Sequence, residues 1–89
     1  MWAVNLHVTG KVQGVFYRAS TAEKAEQLGL IGWVKNKHDG SVLIHAQGAD
    51  DQVQALIDWA WQGPTYASVS DITVTEAAPE NLSSFTIIR

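Results

Sequence analysis

One segment of this chain lies between a predicted strand and a predicted helix: Gly10-Lys11-Val12-Gln13-Gly14-Val15-Phe16-Tyr17-Arg18. Before it, apolar and polar residues alternate over 4–8, as in a strand with one buried face. After it, Ser20 to Glu23 has the pattern of a capping box, which predicts that a helix begins there. Backbone N–H groups at the start of a helix lack partners within the helix and attract anions. The segment is therefore a candidate anion-binding loop.

The composition of this loop indicates which anion it suits. Gly10 and Gly14 allow the backbone to turn tightly around a small guest. Arg18 adds a planar set of donors that matches the oxygens of a phosphate group. Spacing alone also allows an ordinary glycine turn beside a surface arginine, which is the commoner case. Both interpretations stay open on these residues.

After this loop the sequence predicts two helices and four strands. The predicted elements are a helix over about 19–28 that stops at Gly29, a strand over 30–36, a turn at Lys37-His38-Asp39-Gly40, a strand over 41–46, a helix that stops at Gly63-Pro64, a strand within 67–77 and a strand over 85–89. The order is βαββαβ plus a short C-terminal strand. It predicts an α+β fold, the ferredoxin-like split βαβ sandwich, with an antiparallel sheet and two helices on one face. We expect one domain over 1–89.

The same periodicities assign side chains to the core or to the surface. The residues expected in the core are Ala22, Ala25 and Leu28 of the first helix, Val53, Leu56, Ile57, Ala60 and Trp61 of the second, and Trp33, Ile72 and Val74. The residues expected off the core face are His7 and His45, as solvated histidines, and in part Trp59. Asp50 or Asp51 is expected to cap the second helix, and a bulge is expected near Asp71.

Charge is distributed unevenly along the chain. The net charge is −3, which argues against general nucleic-acid binding. Residues 1–40 hold five Lys and Arg against three Asp and Glu, whereas residues 41–89 hold one against six. Four cations lie in or beside the two glycine-bearing loops: Lys11, Arg18, Lys35 and Lys37. We therefore expect a basic mouth that suits a small anion.

Two absences narrow the chemistry. The sequence has no cysteine, which excludes a thiol nucleophile, a disulfide and a thiolate metal site. No apolar run approaches the ~20 residues that cross a bilayer. We expect a cytoplasmic protein that has no membrane partner.

A second motif, Gly32-Trp33-Val34-Lys35-Asn36, ends at the hairpin turn. In a split βαβ fold the end of this strand lies near the loop at 10–18, so Asn36 is expected to face that loop. An asparagine amide cannot accept a proton at neutral pH, but it can orient a water molecule by hydrogen bonding. Asparagine before a hairpin turn is also common for turn geometry alone, so its role stays open on this pattern.

The two motifs, followed by Asp39-Gly40-Ser41-Val42, make the chain resemble the acylphosphatase family over essentially its whole length. The resemblance implies a small metal-free hydrolase without a cofactor, which cleaves acyl phosphates to carboxylate and phosphate. It implies that Arg18 binds the phosphate and that Asn36 positions the attacking water. It also implies a phosphate-binding loop formed by the backbone amides of Gly14, Val15, Phe16, Tyr17 and Arg18. Lys37 stands where some members have a threonine, which bears on substrate preference rather than on the reaction.

Other functions are compatible with this fold class. The runner-up is a regulatory module that binds a small anion without turning it over, since its loop would have the same sequence. An RNA-recognition module is disfavoured because its aromatic strand motif is absent from residues 41–47. A metal chaperone is excluded by the missing Cys-x-x-Cys. We expect a monomer whose partners are an acyl phosphate and inorganic phosphate.

Overall fold

Seven elements follow one another in the predicted order. A computed structural model describes all of residues 1–89. The elements are β1 (Trp2–Lys11), α1 (Tyr17–Gln27), β2 (Ile31–Asn36), β3 (Val42–Gly48), α2 (Asp50–Gln62), β4 (Ser68–Glu76) and β5 (Phe85–Ile88). Both helices are too short and too polar to cross a membrane.

The five strands form one sheet in the order β4-β1-β3-β2-β5. The first four pair antiparallel as predicted, but β5 pairs parallel with β2, so the sheet is mixed. The reason is topological, because the 77–84 connection carries the chain from one edge of the sheet to the other before β5 begins. The bulge expected near Asp71 is confirmed. Thr9 pairs with Asp71 whereas Gly10 pairs with Val69, which leaves Ser70 without a partner on β1.

Both helices share one core on one face of the sheet. The residues Val4, Leu6 and Val8 of β1 are fully buried, as the alternation predicts. α1 contacts β2 and β5, whereas α2 contacts β1, β3 and β4. Buried side chains of both helices and of the sheet belong to a single cluster of 17 residues, so the two helices cover the same face. The α+β ferredoxin-like sandwich is confirmed.

Neither helix begins with the predicted side-chain cap. α1 begins at Tyr17, two residues before the predicted start, and the residue that precedes it is Phe16 in the left-handed conformation. The capping-box prediction was wrong because the loop conformation, rather than a hydroxyl group, starts this helix. α2 follows Ala49, and no side chain caps it. Asp50 and Asp51 lie in its first turn instead, where their charge favours the positive end of the helix dipole.

The earlier start of α1 changes which of its side chains face the sheet. Tyr17, Thr21 and Ala25, spaced four residues apart, are fully buried. The predicted stripe is confirmed for Ala25; Leu28 is partly buried and packs against the core, whereas Ala22 is only partly buried. Tyr17 is the largest of these side chains, and its hydroxyl donates a hydrogen bond to the carbonyl oxygen of Ala60 at 2.7 Å.

Two side chains predicted to face inward are exposed. The stripe of α2 is confirmed at its four other positions, but Trp61 is 47% exposed. Trp59 is the more buried of the two because it faces α1, where its ring centroid lies 5.9 Å from that of Tyr17. Val74 is 43% exposed because β4 is an edge strand, and α2 covers Ile72 but not the residue two positions beyond it.

The opposite face of the sheet holds a second buried group, which the sequence did not predict. His45 is fully buried there, with Nδ1 2.8 Å from Asn5 Oδ1 and Nε2 2.8 Å from Gln47 Oε1. Trp33 stacks on the His45 ring and donates to a carboxylate oxygen of Glu80. The predictions of a solvated His45 and a core Trp33 were therefore wrong. The 77–84 connection covers this face, and no local periodicity reveals such cover.

Candidate active site

The loop between β1 and α1 is anchored from beneath. The side chains of Val12 and Val15 are buried in the core. Gly14, which lies between them, and Phe16, which follows Val15, are exposed. Both exposed residues have positive φ, 74° for Gly14 and 64° for Phe16. A bulky residue in this conformation is uncommon and is held there at a cost by the surrounding structure. The anchored apolar residues therefore force the backbone into a tight curve over the start of α1.

The concave side of this curve has a row of free donors. None of the backbone N–H groups of residues 14–19 donates a hydrogen bond to another part of the chain. The first paired N–H in this region belongs to Ser20, which donates to the carbonyl oxygen of Phe16 at 3.0 Å. Unpaired N–H groups at a helix start carry partial positive charge and bind anions.

A pocket of about 330 Å³ opens in front of these donors. It is lined by Val12, Gly14, Phe16, Tyr17, Arg18, Ala19, Asn36, Ile87 and Arg89. The two functional side chains predicted from separate motifs, Arg18 and Asn36, thus lie at one pocket. No Asp or Glu lines it, and Arg18 forms no ion pair with an acidic side chain elsewhere in the chain. The side chains at the pocket therefore offer donors and positive charge without an acidic side chain to neutralise them.

Asn36 is the last residue of β2, and it pairs with Val42 on β3. Its side-chain oxygen Oδ1 is buried and has no hydrogen-bond partner in the chain. A buried polar atom without a partner costs about 1–3 kcal/mol, so such atoms are rare unless a ligand or a water molecule pairs with them. Because Asn36 also lines the pocket, a ligand or water molecule there is a candidate partner for its amide group.

Comparisons with known proteins agree with this geometry. The sequence matches the family profile described as Acylphosphatase over residues 4–87. The chain belongs to the acylphosphatase family. It is 51% identical to an acylphosphatase of Azoarcus sp. (strain BH72) over 80 residues, which are 90% of this chain and 82% of that protein.

Solved structures of acylphosphatases have the same fold. The crystal structure of acylphosphatase from Bacillus subtilis superposes with a TM-score of 0.96 at 36% identity, over 100% of both chains. The structure of an acylphosphatase from Coxiella burnetii superposes with a TM-score of 0.94 at 42% identity, over 98% of this chain and 92% of that chain. The resemblance inferred from the two motifs is confirmed, and with it an enzyme that hydrolyses acyl phosphates.

The sequence did not predict every residue at this acylphosphatase pocket. Ile87 and Arg89 line it because β5 runs parallel beside β2, with Ile87 paired to Val34. This pairing brings the end of β5 level with Asn36. The only signal in the sequence was a cation at the end of the last predicted strand, and the partner of that strand was not predictable from local pattern.

The basic mouth is smaller than expected. Of the four cations predicted around the acylphosphatase loops, only Arg18 lines the pocket. The ammonium group of Lys35 lies over the ring of Trp33, 5.3 Å from its centroid, on the opposite face of the sheet. Lys37 and His38 are exposed in the hairpin turn and do not line the pocket. Val15 does not line it either, because its side chain is buried beneath the loop.

Proposed function

We propose that acyl-phosphate hydrolysis takes place in the pocket between the loop at 10–18 and the end of β2. In this proposal Arg18 and the backbone amides of residues 14–18 bind the phosphoryl group, and Asn36 orients the attacking water. The supporting observation is that three kinds of unpaired group lie at one pocket. These are the free backbone N–H donors, the guanidinium of Arg18, and Oδ1 of Asn36, which has no hydrogen-bond partner.

The binding step uses charge and shape. A phosphoryl group brings negative charge to the positive end of α1, where the amides of the curved loop point toward it. The Arg18 guanidinium supplies two parallel N–H donors to the phosphoryl oxygens, and this pairing is strong because both partners are charged. In a loose phosphoryl-transfer transition state, negative charge is spread over the equatorial oxygens, and the same donors stabilise it.

The attack step needs little assistance because the leaving group is a carboxylate of low basicity. The water oxygen forms a bond to phosphorus while the bond from phosphorus to the carboxylate oxygen breaks, and its electron pair leaves with the carboxylate. Asn36 accepts a hydrogen bond from the water and holds it in line with the breaking bond. The phosphoryl group itself accepts the proton that water loses. The pH dependence of kcat is then the same in wild type and in His38→Gln, and loss of a neutral-range titration in that variant would implicate a side-chain base.

The experiment is release of phosphate from benzoyl phosphate in excess EDTA. We compare wild type with Arg18→Ala and Asn36→Ala, and Asn81→Ala is the matched control because Asn81 is exposed and does not line the pocket. Arg18→Ala is expected to lower kcat/KM by about 100- to 1,000-fold, since it removes charge stabilisation at the phosphoryl oxygens. Asn36→Ala is expected to lower kcat by about 100-fold and to leave the Kd of inorganic phosphate unchanged.

Each outcome separates one role from another. Full activity in Asn36→Ala would remove the water-positioning role, and unaltered phosphate binding in Arg18→Ala would remove the anchoring role. A wild type that binds phosphate but releases none from the substrate would instead indicate the anion-binding regulatory module. Activity that EDTA abolishes would contradict the metal-free reaction.

We also propose that residues 1–89 work as one unit, as a monomer in the cytoplasm, and without nucleic acid. The net charge of −3 supports the last point, because it opposes the charge of a phosphate backbone. Light scattering is expected to give a mass near 9.7 kDa, and a doubled mass would contradict the monomer. Cell fractionation and a titration with mixed nucleic acid test the other two points.

A further inference from the structure

The side chain of Gln13 crosses from the phosphate-binding loop to the hairpin turn between β2 and β3. Its amide nitrogen Nε2 donates to the carbonyl oxygen of Lys37 at 2.8 Å and to that of Ser41 at 2.8 Å. Both amide hydrogens are thus used, and both acceptors are backbone oxygens. A primary amide supplies these two donors without adding a charge next to the anion pocket.

The two carbonyl oxygens lie where the β2–β3 ladder ends. Asn36 pairs with Val42 in the last registered pair, and one step farther the N–H of Lys37 donates to the carbonyl oxygen of Ser41 at 2.8 Å. Gln13 therefore fastens the rung directly beyond Asn36. Without it, Lys37 N–H to Ser41 is the hydrogen bond that joins the two strands here, and the remaining bonds lie within the turn, from the Gly40 N–H to the Lys37 oxygen and from Ser41 to Asp39.

No hydrogen bond within the chain orients the side chain of Asn36. Its Oδ1 has no partner, and no other residue hydrogen-bonds its amide group. The direction of the amide consequently depends on the packing around it and on the position of the backbone at the end of β2. A displacement of about 1 Å in a group that orients a reactant costs about 100-fold in rate.

We infer that Gln13 is a positioning residue, which holds Asn36 at a fixed distance from the phosphate-binding amides. Gln13 directly precedes Gly14, and Lys37 directly follows Asn36, so the hydrogen bond connects the two halves of the site one residue from each. This inference rests on the proposed role of Asn36 for its effect on rate. The connection itself is a property of the backbone that is measured independently of activity.

The test replaces Gln13 with leucine, which has similar size and no donor. Gln13→Leu is expected to lower kcat for benzoyl phosphate by about 10- to 100-fold while the Kd of inorganic phosphate stays within about twofold. A purely structural defect would weaken phosphate binding as well, because the loop amides would move. The matched control is Gln54→Leu, since Gln54 also donates from its amide, to Asp58 on the exposed side of α2, and should keep full activity.

A double-mutant cycle tests whether Gln13 acts through Asn36. If it does, Gln13→Leu combined with Asn36→Ala is no slower than Asn36→Ala alone. Additive losses, or an unchanged kcat in Gln13→Leu, would overturn the inference while leaving the proposed function intact. If the Leu variant does not fold, Gln13→Asn serves instead, because its shorter side chain reaches at most one of the two carbonyl oxygens.

Amide hydrogen exchange at Lys37 gives the independent measurement. Its N–H belongs to the rung that Gln13 fastens, so exchange is expected to accelerate about tenfold in Gln13→Leu and to stay unchanged in Gln54→Leu. Unchanged exchange at Lys37 in Gln13→Leu would overturn the inference even if the enzyme activity proved different from that proposed.

Discussion

Replacing Tyr17 with phenylalanine removes one buried hydroxyl group and little else. That hydroxyl donates to the carbonyl oxygen of Ala60 in the last turn of α2. In a continuing helix this oxygen would accept the N–H of the residue four positions later, but that residue is Pro64, which has no N–H. Burial raises the pKa of the Tyr17 hydroxyl, so it remains protonated and able to donate. Tyr17 thus takes the place of the missing backbone donor.

The expected loss of stability follows from the carbonyl oxygen of Ala60, which the substitution leaves without a donor. Ala60 is fully buried, and its oxygen accepts no hydrogen bond from another residue once the hydroxyl is gone. An unsatisfied buried acceptor lowers the free energy of unfolding by about 2 kcal/mol. Loss of side-chain packing adds little to this, because the phenyl ring remains. In a domain of this size about 2 kcal/mol corresponds to a fall in Tm of about 10 °C.

Urea denaturation followed by tryptophan fluorescence measures the loss, because the Trp59 ring lies beside that of Tyr17. Tyr66→Phe is the matched control, since Tyr66 is 74% exposed and its hydroxyl has no partner in the chain, and it should change stability by less than about 0.5 kcal/mol. Equal stability of Tyr17→Phe and Tyr66→Phe would refute the reasoning. It would mean that the Ala60 carbonyl oxygen finds another donor or that its pairing contributes no net free energy.

Three further predictions concern residues away from the pocket. Thr21→Val is expected to raise the free energy of unfolding by about 1 kcal/mol, because the buried Thr21 hydroxyl has no partner; an unchanged urea midpoint would contradict this. The Ser41 hydroxyl, and to a smaller extent the Ser41 backbone N–H, donate hydrogen bonds that lower the pKa of Asp39 below its ordinary 3.8. These bonds therefore stabilise the folded protein fully above pH 3.8, and the stabilisation is lost as the pH falls through the lowered pKa of the folded state. Acid titration of unfolding should therefore show a steeper loss for wild type than for Asp39→Asn, and parallel curves would exclude the effect. Gly32→Ala should lower the free energy of unfolding by more than about 3 kcal/mol, because the added Cβ would lie 1.8 Å from a backbone oxygen of β3. At Gly40 an added Cβ meets no other atom, so Gly40→Ala is opposed only by the positive φ, which costs about 1 kcal/mol. Similar urea midpoints for the two variants would contradict that difference.

Elements whose burial follows one local period were predictable from the sequence. The alternation in β1 places Val4, Leu6 and Val8 on the buried face, and the helical spacing in α2 places Leu56 and Ala60 there. In both cases the partner surface lies on one side of the element, so the pattern of apolar residues reports the pattern of burial. Glycine stops and the bulge beside β4 were predictable for the same reason, since their causes are local.

Burial that depends on distant segments was not predictable. Nothing around His45 in sequence indicates that residues 77–84 lie across it, with the Glu80 N–H donating to the Gln47 side chain. The start of α1 was misplaced because Phe16 adopts positive φ, which sequence pattern assigns to glycine or asparagine before it assigns it to phenylalanine.

In the candidate site, too, residues in local motifs were predictable and residues placed by distant contacts were not. Motifs in two loops indicated Arg18 and Asn36, and the sheet brings both to one pocket. Arg89 was missed because its place depends on the pairing of β5 with β2, which is parallel and is not a hairpin. The role of Gln13 was equally invisible, since its acceptors are backbone oxygens 24 and 28 residues away and have no side-chain signature.

Because β1 lies between β4 and β3 in the sheet, it is fully paired only after β4 has been made. The end of β1 that leads into the loop at 10–18 pairs with β4, through Gly10 with Val69 and Lys11 with Ser68. A ribosome that adds about 5–20 residues per second makes that partner several seconds after the loop itself. During this interval β1 is an apolar strand with an unpaired edge, a form prone to aggregate. A chain that ends before β4 would therefore leave Gly10 and Lys11, directly before the site, without their partner strand.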